Sequence, residues 1–114
     1  MREVLLDTNF IIACLKQKID FIEEFNLLGY KVLIPEQVIN ELKRNKQELA
    51  LNFLEKQKNF FRTIDIGKGH VDKKIIQYSK KNPEIVVATL DKELKNSLKN
   101  KKAIIREKKR IIIL

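Results

Sequence analysis

The run Ile85-Val86-Val87-Ala88-Thr89-Leu90 constrains this chain more than any other segment. Six consecutive residues with one hydroxyl among them have no polar face to offer water, so a strand here is covered on both sides. A sheet buried on both faces needs helices above and below it, joined to parallel strands by crossovers. The rest of the chain supplies those elements in alternation. Short strands are predicted at 4–6, 30–34, 63–66, 85–90, 103–106 and 111–114, and helices at 8–16, 19–28, 36–45, 47–59, 71–81 and 91–99. Phe21, Ile22, Phe25 and Leu28 recur at helical spacing, and Gly29 then acts as a carboxyl-terminal cap. Pro35 suits the start of the next helix, whose inner face is Val38, Ile39 and Leu42. The pattern predicts a single α/β domain over residues 1–114, three layers deep (α/β/α), around a central, mostly parallel sheet of about five strands. A chain of 114 residues has no room for a second core.

Composition narrows the setting. One cysteine, Cys14, excludes an intrachain disulfide, and its apolar neighbours favour a small buried side chain over a reactive thiol. No stretch approaches the roughly 18 apolar residues of a membrane span, and the first residues do not resemble a signal peptide. A reducing cytoplasm and no membrane partner are therefore expected. The net charge is +9, and residues 91–114 hold nine Lys/Arg (Lys92 and Lys95 among them) against three acids, a local +6. Two readings stand side by side. Such a concentration suits a phosphate backbone, and a lysine-rich composition also arises from genome bias or heat adaptation.

Ligands of open parallel sheets bind beyond the carboxyl ends of the strands. Asp7 follows the first strand, and Thr89 and Asp91 end the fourth. Both aspartates also precede helices, where Asp is a favoured cap, so capping and a site remain alternatives for each. Asp72 is placed differently. On a helical projection it shares a face with Ile75, Ile76 and Ser79, where an ionised carboxylate needs a partner, a hydrogen bond or a metal. Glu41 borders the inner face of its helix, unlike Glu36, Glu48 and Glu55, which read as solvated. Four converging carboxylates repel unless a hard cation such as Mg²⁺ or Mn²⁺ sits among them. Thr8, Asn9 and Thr89 are candidates to orient the acids, or ordinary turn and cap residues. His70 is a phosphate contact or a surface cap; Lys43 and Arg44 either grip RNA or form a solvated face.

At these residues the chain resembles the PIN-domain ribonuclease family. The motifs are V-L-L-D-T-N at 4–9, I-P-E-Q-V-I-N-E-L at 34–42, V-D-K-K-I-I at 71–76 and V-A-T-L-D-K-E-L at 87–94. They align Asp7, Glu41, Asp72 and Asp91 with the family's acids in order. The resemblance implies a Mg²⁺- or Mn²⁺-dependent endoribonuclease, often dimeric, with its carboxyl-terminal end closest to the archaeal and ribosomal-RNA-processing branch. Toxins of toxin–antitoxin pairs are nearby, with an antitoxin protein as partner. Leu90 stands where Asn or Arg is common and Ser79 where alanine is frequent, and Glu93 is a possible fifth acid. Two competing readings are a non-catalytic RNA-binding or ribosome-assembly module that keeps the fold, and DNA cleavage of flap-endonuclease type.

Overall fold

A computed structural model describes residues 2–107 and 109–114. Lys108, one of the nine basic residues near the carboxyl terminus, lies outside the described residues. In chain order the elements are β1 (Arg2–Leu6), α1 (Thr8–Lys16), α2 (Phe21–Leu27), β2 (Tyr30–Pro35), α3 (Glu36–Arg44), α4 (Glu48–Lys56), a 3-10 turn (Lys58–Phe60), β3 (Phe61–Ile64), α5 (Val71–Lys81), β4 (Val86–Ala88), α6 (Lys92–Asn96), β5 (Lys102–Arg106) and β6 (Arg110–Ile113). The strands form one six-stranded sheet in the order β3-β2-β1-β4-β5-β6. Five run parallel and β6 pairs antiparallel with β5. The final short strand thus joins the sheet as the antiparallel neighbour of β5, which makes six strands where about five were expected.

Side chains alternate across the sheet with period two, and both sets are buried. Val4, Leu6, Val32 and Ile34 face one core with Phe10 and Phe25. Leu5, Leu33 and Val87 face the other with Ile75, Leu94 and Leu98. This two-sided burial is what the apolar run at 85–90 requires. The paired part of that run is shorter than predicted, only Val86–Ala88, because Thr89 and Leu90 turn away into the loop. Gly29, at φ +86, closes α2 as its position suggested. The predicted helix at 47–59 divides: α4 ends at Lys56 and a 3-10 turn leads into β3, which begins at Phe61 rather than Thr63. Cys14 is buried, and burial pushes its thiol up to about 12, so it stays protonated and inert. Phe60, at the end of the 3-10 turn, is 55% exposed.

Two buried polar residues at the end of α5 behave in opposite ways. Asn100 directs its amide nitrogen at the carbonyls of Ser79, Asn82 and Ile85, at 3.3, 3.1 and 3.0 Å, and so ties the end of α5 to the start of β4. The Ser79 hydroxyl is fully buried with no partner among the described residues. Replacing Asn100 with Ala removes the amide that bridges three carbonyls, of which those of Ser79 and Asn82 keep the N–H groups of Asn82 and Ile85, and is expected to cost about 2 kcal/mol in urea unfolding. Ser79→Ala removes an unsatisfied hydroxyl and is expected to be neutral or stabilising by up to about 1 kcal/mol in the same measurement.

Candidate functional site

From β1 the chain continues through β2 on one side of the sheet and β4 on the other, so the topological switch lies between β1 and β4. Asp7 is the first residue past β1 at this point. Its N–H donates to the Ala88 carbonyl at 3.0 Å, extending the ladder by one bond, and the residue is only 4% exposed. The carboxylate is held from two sides. Its Oδ1 accepts from the Thr8 N–H at 2.8 Å, and its Oδ2 accepts from the Thr89 hydroxyl at 3.0 Å. Thr89 Oγ1 in turn accepts from the Asp91 N–H at 3.1 Å. One hydroxyl therefore couples the ends of two strands that are far apart in sequence.

The capping question separates the two aspartates. A capping side chain takes the N–H of the second or third helical residue. Asp91 does so at both Glu93 and Leu94, at 2.9 and 3.3 Å. Asp7 accepts only from the first helical residue and leaves the rest of the α1 terminus alone. Asp7 is thus a buried carboxylate that capping does not explain, whereas Asp91 caps α6.

Asp7, Glu41 and Asp72 line one cavity of about 440 Å³, with Asn9, Arg44 and His70 on its walls. Glu41 reaches it from the last two turns of α3, and Asp72 from the first turn of α5; both are half-buried. The helical projection placed Asp72 on an apolar face, but the deeply buried acid is Asp7. Ile75 and Ser79 occupy the buried centre of the α5 face, and Asp72 sits at its rim. His70 precedes α5 without making a side-chain cap bond. Asp91, Lys92 and Lys95 do not line this cavity, and Lys43 lines a separate depression beside Leu54 and Phe61. Sequence reasoning overlooked Gln37 and Asp65, which hold the loop beside the acids, and Lys68, which that loop carries; the glycines at 67 and 69 were their only signal.

Burial raises the Asp7 carboxyl to about 6 from an ordinary 3.8; the Thr89 and Thr8 hydrogen bonds oppose this, and the charges of Asp72 and Glu41 add to it. Among the described residues no three His, Cys, Asp or Glu side chains lie close enough to cage an ion unaided. The donor chemistry nevertheless suits a hard cation. Mg²⁺ is commonly held through one or two carboxylates while it retains several waters, and a positive charge here relieves the repulsion that disfavours ionised Asp7. The Thr8 hydroxyl beside Asp7 is buried and has no hydrogen-bond partner among the described residues.

Residues 4–110 match the family described as a PIN like domain. The chain belongs to that family. Two relatives agree with this PIN like assignment. Ribonuclease VapC4 of Methanocaldococcus jannaschii is 36% identical over 110 residues, which cover 86% of this chain and 83% of the relative. The solved structure of the PIN domain endonuclease Utp24 superposes with a TM-score of 0.83 at 27% identity, covering 98% of this chain and 92% of that one. The PIN resemblance and the three-layer architecture read from the sequence are both borne out.

The raised Asp7 value in this PIN like fold has a pH consequence. Between about 3.8 and 6 the folded chain keeps a proton that the unfolded chain has released. The favourable contribution of protonated Asp7 is therefore complete at low pH and disappears as pH rises through about 6, a loss of about 3 kcal/mol. Without divalent ions, Asp7→Asn is expected to be more stable than the parent at pH 7, with the advantage vanishing near pH 4. Urea unfolding of both proteins at several pH values checks this; a pH-independent difference contradicts it.

Proposed function

We propose that this chain is a metal-dependent endoribonuclease and that Asp7, Glu41 and Asp72 form its catalytic centre, with Asp91 as a further acid of the set. The observation that carries this reading is the buried Asp7 carboxylate at the sheet's switch point, pinned by Thr89 and sharing a cavity with two further acids. The relatives named as a ribonuclease and a PIN domain endonuclease support RNA as substrate and phosphodiester hydrolysis as reaction. Asp7, Glu41 and Asp72 are the residues that would hold Mg²⁺ or Mn²⁺. When bound, such an ion supplies positive charge that eases attack of water on phosphorus and departure of the leaving oxygen.

The chain's own groups then have separate tasks. Thr89 and the Thr8 N–H fix the orientation of both Asp7 oxygens, so the carboxylate meets a ligand already positioned. Glu41 and Asp72 face the same space from helices on opposite sides of the sheet edge. Arg44 offers the cavity a cation for a phosphate oxygen that the acids would otherwise repel. Asn9 is exposed on the first turn of α1 and lines the same space, within reach of a bound strand. Lys43, Lys92 and Lys95 lie outside this cavity and would serve more distant parts of the RNA backbone.

The single free thiol, Cys14, supports a reducing compartment such as the cytoplasm. A homodimer and, for a toxin role, an antitoxin partner are carried by the family resemblance. The spacing of the acids favours one second reading, an RNA-binding module without cleavage. Single-stranded RNA and Mn²⁺ discriminate the two. Cleavage that EDTA abolishes is expected of the parent, and Asp7→Asn and Asp72→Asn are expected to reduce it by about a hundredfold or more. Asn also caps helices well, so Asp91→Asn should keep α6 intact. Loss of cleavage in that variant would assign Asp91 to the centre, and full activity would leave it a cap alone. RNA binding by the parent without EDTA-sensitive cleavage would overturn the enzyme reading.

A further inference from the structure

A second polar cavity, of about 350 Å³, adjoins the acidic one, and Arg44, Gly69 and Val71 form walls of both. Its remaining lining is Glu36, Gln37 and Asn40 of α3 and Asp65 and Lys68 of the β3–α5 loop. That loop is built rather than incidental. Gln37 Nε2 donates to Asp65 Oδ1 at 2.7 Å, and Gln37 Oε1 accepts from the Ile66 N–H at 3.2 Å. The Gly67 N–H closes the turn on the same Asp65 oxygen at 2.8 Å, a bend that Gly67 and Gly69 permit at φ +99 and +132. These bonds hold the Asp65 carboxyl below the ordinary carboxylate range and engage its Oδ1 within the loop. Among the described residues, neither Arg44 nor Lys68 is in an ion pair.

An RNA strand with one phosphate over three carboxylates is held where cations take the phosphate next to it. The wall shared by the two cavities supplies the first, Arg44, and the tethered loop supplies the second, Lys68. We infer that this adjoining cavity is the subsite for the nucleotide next to the cleaved bond, with Arg44 and Lys68 taking its phosphate and the Gln37–Asp65 clamp positioning the loop. Asn40, exposed on α3 and lining the cavity, is placed to meet the sugar or base. The inference rests on the ribonuclease reading above and assigns the path of its substrate.

Salt dependence of binding tests it apart from catalysis. A labelled single-stranded RNA is titrated by fluorescence anisotropy in EDTA, so that no cleavage intervenes. Each phosphate contact on a single strand contributes about 0.7 to the slope of log K against log salt. Arg44→Ala and Lys68→Ala are each expected to weaken binding several-fold and lower the slope by about 0.7, and the double variant by about 1.4. Gln37→Ala should weaken binding less than either, and Lys68→Arg should restore it. Lys56→Ala, which removes the same charge from α4 outside both cavities, provides the comparison. Slopes for Arg44→Ala and Lys68→Ala that match Lys56→Ala overturn the subsite, even if the parent cleaves RNA normally. Lowered slopes with a parent that never cleaves support the subsite and overturn the enzyme reading instead.

Discussion

A carboxylate buried at the point where a parallel sheet changes direction needs hydrogen-bond donors from both sides, and the arrangement around Asp7 follows from meeting that need. One donor is local, the N–H of Thr8. The other, the Thr89 hydroxyl, arrives from a strand about 80 residues later, and it reaches Asp7 only because β4 lies directly beside β1 with Leu6 opposite Ala88. The pairing of β1 with β4 is thus also the assembly of the site. Loosening it would leave a charge with half its partners in an apolar setting, which is costly. The same burial that makes Asp7 expensive as a bare anion makes a cation beside it favourable.

The two hydrophobic layers hold that junction rigid. Alternate residues of β1, β2 and β4 pack into opposite cores, so a slip of register by one residue would exchange the two faces. α3 and α5 dock on opposite faces and present Glu41 and Asp72 over the same edge. Each acid comes from a different element and none depends on a flexible segment for its place. Arg44 ends α3 one turn beyond Glu41, so a single helix brings both an acid and a cation to the cavity. Opposite charges at the rim and floor fit a substrate whose phosphates must be attracted overall while one is drawn among carboxylates.

Much of this was legible in the residues. The apolar run before Asp91, the helical stripe ending at Gly29 and the alternation of elements predicted the three layers, because burial on both faces leaves no other arrangement for such strands. The prediction missed the start of β3 and the 3-10 turn before it, where a helical pattern ran on through residues that tertiary packing redirects. Asp72 shares a helical face with isoleucines, which marks it as a carboxylate in need of a partner, but a helical projection does not show where the sheet edge falls. Asp7 had only a capping alternative against it, and which N–H groups the side chain reaches decided that alternative.

The sequence by itself determined the layered fold, the family and the order of the acids, since all three are written in periodicity and in short motifs whose physics is local. Only the tertiary structure decided which acid is buried, which is a cap, and which cations stand beside them. Those properties depend on strand neighbours and loop closures between residues such as Asp7 and Thr89, or Gln37 and Asp65, that lie far apart along the chain. Desolvation and hydrogen bonding act through space, and one-dimensional spacing records neither.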